Sequence, residues 1–371
     1  MSTYLPGKKS SRSIDWGTVA VEGRALIALV LIIVVFSLLS PNFLTPDNLI
    51  IMTRHVAMNA ILAIGMLLVI LNGGIDLSVG SIVGLSGVMV GWLLEGWSIP
   101  FTDSVAYPPV WAVIIIAMVV SAFFGWVNGF VITRWQVAPF VATLGMLFVA
   151  RGFALLITDG QTFTDIRGNP ELGNEGFLEI VFAEPLGIPM AVWMMVLVAV
   201  LASILLNRRP FGRWLYASGG NPQAAKLSGI PMKKVGTRIY VLSGLCAGLV
   251  GILLVADLKA ATPRAGEFYE LNAIAAVVVG GAALAGGRGT VRGTIIGAFV
   301  IGFLVDGLIL VGVNFFWQQV IKGAVIVLAV ALDQWQQRLQ EGRAAKSTQA
   351  QAARARKQTV SAASGGGSTQ E

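Results

Sequence analysis

Charged residues are scarce in this chain of 371 residues, since only 12% are Asp, Glu, Lys or Arg and 56% are hydrophobic. Soluble domains carry about 25% charged residues, so the sequence has about half the charge that a water-exposed surface requires. This deficit excludes a large extramembrane enzyme domain and indicates a chain whose solvent is lipid.

Cysteine and histidine are almost absent. The single cysteine, Cys246, excludes an internal disulfide, and the single histidine, His55, leaves too few ligands for a zinc or haem site. The sequence also lacks the G-x-x-x-x-G-K-[ST] nucleotide loop and the G-x-S-x-G, H-E-x-x-H and C-x-x-C motifs. We therefore expect no catalytic residues, no metal and no cofactor in this chain.

Long apolar runs are abundant, and ten of them predict ten membrane helices, each needing roughly 20 residues to cross a bilayer. We predict an all-α integral membrane domain over 25–332, a cytoplasmic segment over 1–24 and a mostly disordered cytoplasmic tail over 333–371. The tail is either simply solvated or in contact with anionic lipid. The runs are 25–39, 56–71, 77–94, 110–132, 139–157, 187–206, 238–256, 271–287, 293–312 and 316–332.

Basic residues are distributed unevenly between the two sets of loops. With a cytoplasmic N-terminus, the inward segments hold 19 of the 26 Lys and Arg residues, which follows the rule that positive loops stay inside. The outward loops, above all the periplasmic loop 158–186, are rich in acids. We therefore predict a multi-pass protein with both termini in the cytoplasm. The net charge of +7 belongs to these loops and does not indicate a nucleic-acid partner.

A weak internal similarity favours two halves of five helices each. A shift of 178 residues lays Asn128-Gly129 on Asp306-Gly307. Elements that lie five crossings apart run in opposite directions, so this repeat would have inverted topology.

Polar residues inside the apolar runs are costly in lipid and are therefore candidates for function. The break at 72–76 fits either a tight turn or a broken helix that exposes backbone groups, Asp76 and Ser78 to a polar solute. Alternatively, Asp76 only caps the next helix at the cytoplasmic interface. Asp306 and Lys322 flank a short turn at similar depth, so they form either a structural ion pair or a polar wall of a solute path.

Aromatic and amide side chains on the fourth and tenth runs suit the apolar ring face and the hydroxyls of a sugar. Interfacial anchoring explains the tryptophans at least as well. The residues predicted to line a translocation path are Gly73, Gly74, Asp76, Ser78, Trp126, Asn128, Asp306, Trp317 and Gln318.

The inward loop 207–237 contains a sequence typical of a short helix outside the membrane. Asn221 fits an N-cap, Pro222 the first helical position and Gly229 the terminator, which gives about two turns. Small side chains and one lysine on this helix favour a docking element, with an ordinary connector as the alternative. The residues predicted for docking are Gly220, Asn221, Pro222, Ala224, Ala225, Lys226, Ser228 and Gly229.

Taken together, several segments are similar to the ribose, xylose and arabinose permease family, the membrane subunits of bacterial ABC sugar importers. The resemblance covers roughly residues 43 to 335. Its segments are AIGM at 63–66, GGIDLSVGS at 73–81, TLGM at 143–146, RG at 151–152, GGN to GI across 219–230, AALAGG at 282–287, and FWQ at 316–318 followed by Gly323.

The resemblance implies a transport subunit of the bacterial inner membrane, not an enzyme, that works as a homodimer or heterodimer. Its implied partners are a separate cytoplasmic ABC ATPase, which would bind ATP and Mg²⁺, and a periplasmic sugar-binding protein. It also implies that 221–229 is the coupling helix, that 73–80 lies near the translocation path, and that the fold resembles the ten-helix vitamin B12 importer class.

The expected function is translocation of a monosaccharide, whether a pentose, a hexose or a related polyol, by alternating access. An ion-coupled secondary sugar transporter is the alternative, because its inverted repeats and broken helices would look similar. In that case, Asp76 and Asp306 would be the only intramembrane candidates for the coupling carboxylates. An intramembrane enzyme would need a nucleophile and base pair, which the sequence does not offer.

Overall fold

The computed structural model of the chain describes residues 16–98, 104–328 and 330–331. The predicted tail over 333–371 and most of the segment 1–24 lie outside these residues. Regular structure in the described part is almost entirely helical, with one short antiparallel hairpin that pairs Trp97 with Ala106. Two 3-10 turns cover Pro170–Leu172 and Pro185–Gly187.

The helices and strands follow one another along the chain in this order: α1 (Trp16–Leu39), α2 (Pro46–Leu71), α3 (Val79–Glu95), β1 (Trp97–Ser98), β2 (Val105–Ala106), α4 (Val110–Trp135), α5 (Pro139–Thr158), α6 (Phe177–Val181), α7 (Met190–Arg208), α8 (Pro210–Gly220), α9 (Pro222–Leu227), α10 (Met232–Leu258), α11 (Tyr269–Val279), α12 (Val291–Leu310) and α13 (Phe315–Leu328).

Six of these helices, α2, α4, α5, α7, α10 and α12, are long and apolar enough to cross a bilayer. Shorter apolar stretches lie on α1, α3, α11 and α13. Each of the ten predicted runs coincides with one of these ten helices, so the prediction of a largely helical chain with membrane-length apolar helices is confirmed. Ten crossings remain a prediction.

Several predicted boundaries are wrong, and two of them have an identifiable reason. Helix α2 begins ten residues before the predicted run, because Arg54 and His55 interrupt the apolar pattern but not the helix. Helix α11 ends at Val279 instead of 287. Gly281, Gly286 and Gly287 after it have φ values of 88°, 92° and 73°, a backbone conformation that stops a right-handed helix.

Residues up to Lys322 form one compact unit, and residues from Gly323 onward belong to a second unit. Helices α2 and α10 form the centre of the first unit. In their most apolar windows 83% and 72% of the residues are buried, against 22% for α5 and α7. Helix α10 packs on α2, α3 and α4, while α2 also packs on α7, α11 and α12. The polar groups that matter for function therefore lie on or beside α2 and α10.

Glycines permit the close approach of α4 to α10. A Cβ atom on Gly125 would lie 2.3 Å from the carbonyl oxygen of Tyr240, and one on Gly129 would lie 2.7 Å from the Cα of Thr237. Small residues at membrane helix interfaces allow this kind of backbone contact, which provides much of the packing attraction in lipid.

The two ends of the first unit differ in charge. We call the end formed by residues 72–74, 207–231 and 280–290 the basic end, and the end formed by 159–189 and 259–268 the acidic end. At the basic end the Tyr216 hydroxyl donates to the Gly289 carbonyl at 2.8 Å, and burial raises the pKa of this phenol. At the acidic end a two-way backbone bridge joins Phe163 to Ala261.

Replacing Gly125 by alanine is expected to destabilise the protein by about 1–3 kcal/mol, because the added methyl group forces α4 away from α10. The matched control is Gly145→Ala on α5, where a Cβ meets no atom within 4 Å. This control should be neutral or slightly stabilising, since alanine favours a helix over glycine. Thermal unfolding of the two variants in detergent measures the difference, and equal midpoints would contradict the packing argument.

Candidate functional site

The chain is interrupted between α2 and α3 by seven non-helical residues, 72–78. Gly73 has a φ of 78°, which turns the chain sharply after Leu71. Helix α3 has 17 residues and so spans about 25 Å, less than the roughly 30 Å of bilayer hydrocarbon. The difference fits a segment that turns at the basic end and runs back into the protein before α3 begins. We call residues 72–78 the first interruption.

Asp76 is the centre of a buried hydrogen-bond network. Its Oδ1 accepts from the backbone N–H of Ser78 at 3.0 Å and from the Ser78 hydroxyl at 2.6 Å. Its Oδ2 accepts from the hydroxyl of Ser243 on α10 at 2.9 Å. The Ser78 hydroxyl accepts from Nδ2 of Asn128 on α4 at 2.8 Å. One carboxylate therefore ties the interruption directly to α10 and, through Ser78, to α4.

The position of Ser243 shows how deep this network lies. Ser243 is eleven residues after Met232, the first residue of α10, so it lies about 16 Å along the helix from its basic end. Asp76 and Ser78 are both fully buried. The residue at the N-cap position of α3 is Ser78. Asp76 accepts from the backbone N–H of Ser78, as a capping residue would, and in addition binds Ser243 on α10, which a simple cap does not require.

Two further groups complete the surroundings of the first interruption. The hydroxyl of Thr143 on α5 donates to the carbonyl of Ile75 at 3.1 Å, which satisfies a backbone acceptor that the broken helix leaves free. The Oδ1 of Asn128 is buried and lacks a hydrogen-bond partner among the described residues. It is an acceptor available to a hydroxyl or a water.

A second interruption, residues 259–268, lies between α10 and α11. Helix α11 has only 11 residues and spans about 16 Å, half of a bilayer. A Cβ atom on Gly80 would lie 2.4 Å from the carbonyl oxygen of Gly266, so the second interruption reaches the start of α3. Arg151 on α5 donates to the carbonyls of Pro263 and Ala265, which fixes this segment in the protein.

The predicted short helix in the loop 207–237 is confirmed as α9. The Asn221 side chain accepts from the backbone N–H of Ala224 at 3.0 Å, and Gly229 has a φ of 78° just beyond the helix. Ala225 is only 4% exposed and so lies on the side of α9 that packs against the rest of the protein, whereas Leu227 is 90% exposed. The exposed face of α9 therefore carries a large apolar side chain that the sequence analysis did not select.

The segment leading into α9 contacts the first interruption directly. A Cβ atom on Gly219 would lie 1.7 Å from the Leu71 carbonyl oxygen, so only glycine fits there. The Ser218 hydroxyl donates to Oδ1 of Asn72 at 2.8 Å. The backbone N–H of Gly287 donates to the same Leu71 carbonyl at 2.9 Å. The C-terminal ends of α8 and α2 are therefore joined at the basic end.

The remaining residues predicted for the path lie elsewhere. Trp126 is 45% exposed in a row of aromatic side chains on α4, and Trp317 is 64% exposed on α13. Gln318 is buried and donates to the Val313 carbonyl at 2.8 Å. Asp306 contacts His55 at 3.1 Å, and no ion pair in the described part joins it to Lys322. The predicted pair of Asp306 with Lys322 is therefore wrong.

The structure thus brings together Gly73, Gly74, Asp76, Ser78 and Asn128. Sequence reasoning missed Ser243 and Thr143, because single hydroxyl residues in apolar helices carry no distinctive pattern. Arg151 could have been selected from the sequence as a candidate site residue, because a lone arginine inside an apolar run is costly unless it has a partner.

Replacing Asp76 by asparagine is expected to destabilise the protein by about 1–3 kcal/mol, because the amide keeps one acceptor atom in place of two, so a serine hydroxyl must reverse its hydrogen bond, and the bonds that remain lose the assistance of the charge. Asp47→Asn, in the exposed first turn of α2, is the matched control and should change stability by less than 1 kcal/mol. Thermal unfolding measures both changes. An Asp76→Asn variant as stable as the control would contradict the role of the carboxylate as an acceptor for three donors.

Comparison with known proteins places these features in a family. The family described as the permease component of the branched-chain amino acid transport system matches residues 48–330. The ribose import permease protein of Bacillus subtilis (strain 168) is 45% identical over 83% of this chain and 91% of its own length. The corresponding protein of Escherichia coli (strain K12) is 42% identical over 84% and 93%.

The fructose import permease protein of Rhizobium meliloti is 36% identical over 84% of each chain. No solved structure matches the chain. The resemblance to importer permeases noted in the sequence is confirmed by these relatives. Because the matching family and these relatives cover most of the chain, the protein belongs to this permease family and is a multi-pass transport component of the inner membrane.

Proposed function

We propose that this chain is the membrane subunit of an ABC importer that carries a monosaccharide, a pentose, hexose or related polyol, across the bacterial inner membrane by alternating access. The contact between the α8–α9 segment and the first interruption carries this proposal. It connects a surface suited to docking a motor with the polar break in the membrane helices. The relatives named for ribose and fructose import favour a sugar as the cargo.

The ATPase partner docks at the basic end through α9. Leu227 is 90% exposed, and a large apolar side chain on a short exposed helix is typical of a residue that anchors in a partner's pocket. Lys226 beside it is also exposed. The excess of basic residues at this end supports a cytoplasmic position for it, with both termini on the same side. ATP and Mg²⁺ belong to the partner ATPase.

Movement of α9 reaches the path through backbone contacts. Helix α9 follows directly on Gly219 and Gly220, and Gly219 has no space between itself and Leu71. A displacement of α9 therefore displaces the end of α2 and the first interruption that follows it. The free energy comes from differential binding of ATP and of the loaded sugar-binding protein to the inward-open and outward-open states.

The solute path lies along the two interruptions. The second interruption reaches the start of α3, just after the first interruption, where Gly80 meets Gly266, and non-helical backbone at membrane depth is typical of transporter binding sites. The unpartnered Oδ1 of Asn128 is an acceptor for a sugar hydroxyl. Helices α1–α5 and α7 with α10–α13 form two sets of five, and in each set an interruption precedes the third helix. This order supports the inverted repeat, the ten crossings and the likeness to the vitamin B12 importer class.

The complete importer contains two permease subunits, either identical or related, and receives sugar from a periplasmic binding protein. That protein docks at the acidic end, where the loop 158–186 lies. Four predicted path residues lie away from the two interruptions in this structure, namely Trp126, Asp306, Trp317 and Gln318. A second subunit or a different conformational state would have to bring them to the path.

Uptake into proteoliposomes tests this proposal directly. The purified chain is reconstituted with and without its cognate ATPase, and the uptake of labelled D-ribose, D-fructose and L-arabinose is measured with the binding protein and ATP. We expect uptake of at least one sugar that requires the ATPase and ATP and that persists when an ionophore collapses ion gradients. Uptake without the ATPase that collapses with the ion gradient would instead favour the ion-coupled secondary transporter.

Replacing Leu227 by aspartate is expected to weaken ATPase binding at least tenfold, because it removes an apolar anchor and adds a charge at the docking surface. Leu186→Asp is the matched control, since Leu186 is also 90% exposed but lies in the loop at the acidic end. The dissociation constant of the ATPase from each variant in nanodiscs measures the effect. Equal weakening by both variants, or by neither, would contradict docking through α9.

A further inference from the structure

A second polar cluster lies at the acidic end, away from the first interruption. The Nδ1 of His55 on α2 lies 3.1 Å from Oδ1 of Asp306 on α12, and its Nε2 lies 3.6 Å from Oδ2 of Asp257 on α10. Arg54 contacts Asp257 at 3.2 Å and Glu184 at 2.6 Å. Two adjacent residues of α2 therefore hold groups from α10, α12 and the loop before α7.

A carboxylate oxygen lies beside each ring nitrogen of His55, at hydrogen-bond distance from Nδ1 and at ion-pair distance from Nε2, while the side chain of His55 is itself 41% exposed. A neutral imidazole has one N–H group and one lone pair, so one of the two carboxylates would face a lone pair. The imidazolium form donates in both directions. The side chains of Asp257 and Asp306 are only 12% and 11% exposed, so water does little to relieve such a repulsion.

The charges that face this histidine come from every neighbouring element. Arg54 lies beside it on α2, Asp257 on α10, Asp306 on α12, and Glu184 in the preceding loop. The phenol of Tyr269 at the start of α11 lies within electrostatic range of Asp257 and Asp306. Lys259 lies with Arg54 over the ring of Phe182 and adds a further cation at the edge of the cluster. The imidazolium form of His55 adds a positive charge next to Asp257 and Asp306, which the neutral form does not supply.

We propose that protonated His55 is a clasp that holds the acidic ends of α2 and α12 together, so that closure of this end of the permease depends on one proton. The proposal rests on the proposed function in one respect, namely that the acidic end is the outer opening of the path. The clasp itself follows from the contacts within the chain.

The clasp is specific for α12. Asp257 retains Arg54 as a partner if the histidine loses its proton. Asp306 has no such second partner in the described part of the chain, and its Oδ2 is buried without a hydrogen bond. Loss of the proton removes the counter-charge of Asp306 and leaves it at most the neutral N–H of one imidazole tautomer, which is costly for a nearly buried carboxylate in a membrane protein. The end of α12 should then separate from α2, while α10 stays in place.

The charge state of the clasp is directly measurable because His55 is the single histidine of the chain. The full chain is labelled with ¹⁵N-histidine, purified through a tag that contains no histidine, and placed in lipid nanodiscs. At pH 8, where a histidine free in water is mostly neutral, we expect ¹⁵N shifts of an imidazolium with both nitrogens protonated. The spectrum of a neutral imidazole would overturn the proposal.

Spin-label distances test whether the clasp holds α12. Labels are attached at Ile51→Cys with either Ile309→Cys on α12 or Leu258→Cys on α10, in a Cys246→Ala background. All three label positions are about half exposed. We expect His55→Gln to lengthen and broaden the distance from 51 to 309 and to leave the distance from 51 to 258 unchanged.

The matched control is Thr53→Ala, because the Thr53 hydroxyl donates only to carbonyls of its own helix, Leu49 and Ile50, and does not contact the cluster. This control should change neither distance. The spin-labelled protein with His55 intact is also measured at a pH high enough for its ¹⁵N spectrum to be that of a neutral imidazole, and the distance from 51 to 309 should lengthen there too. This second experiment tests the clasp even if the His55→Gln variant fails to fold. Unchanged distances in both experiments would overturn the clasp. Neither measurement needs sugar or ATPase, so a negative result leaves the proposed import function standing.

Discussion

A backbone in hydrocarbon has no water to bind, so every interruption of a membrane helix must be satisfied by the protein around it. This constraint governs the two interruptions of this permease. Thr143 binds the carbonyl of Ile75, and Arg151 binds two carbonyls of the second interruption. Both side chains come from α5, a helix that is otherwise sparsely buried. These hydrogen bonds tie α5 to the interruptions in addition to its packing on α3 and α4.

Carboxylates inside the protein are paired in different ways at its two ends. Asp76 accepts only neutral donors, so it stabilises the first interruption without a counter-ion. Asp257 and Asp306 face cationic or ionisable side chains instead. The network around Asp76 therefore works as a fixed structural element, whereas the cluster at the acidic end contains a group whose charge can change.

The elements that depend on local sequence were predictable. Apolar runs located the membrane-length helices, and the capping residues Asn221 and Gly229 located α9, because these signals depend on neighbours within one or two turns. The break after Leu71 was predictable from its glycines and its aspartate. The depth of that break was not, because it depends on contacts with Asn128 and Ser243 on distant helices.

Other features of the site depend on tertiary contacts that no local pattern encodes. The sequence suggests Lys322, sixteen positions away at similar depth, as a possible partner of Asp306, but the partner in the structure is His55, 251 residues away in the sequence. The sequence predicts Ala225 for docking, but its side chain is buried, because which side of a six-residue helix is covered depends on its neighbours in the fold, here α8. Helix α8 was missed because an amphipathic segment in a charged loop resembles an ordinary connector.

The junction of Gly219 with Leu71 has a mechanical consequence. Main chain rests there on main chain, so no rotatable side chain lies in between that could absorb a push by changing rotamer. Such a contact deforms little when one side moves. A displacement of the α8–α9 segment would therefore be transmitted to the end of α2 with little loss. Side-chain rearrangement would absorb little of the movement of a protein bound to α9 before that movement reached the membrane helices.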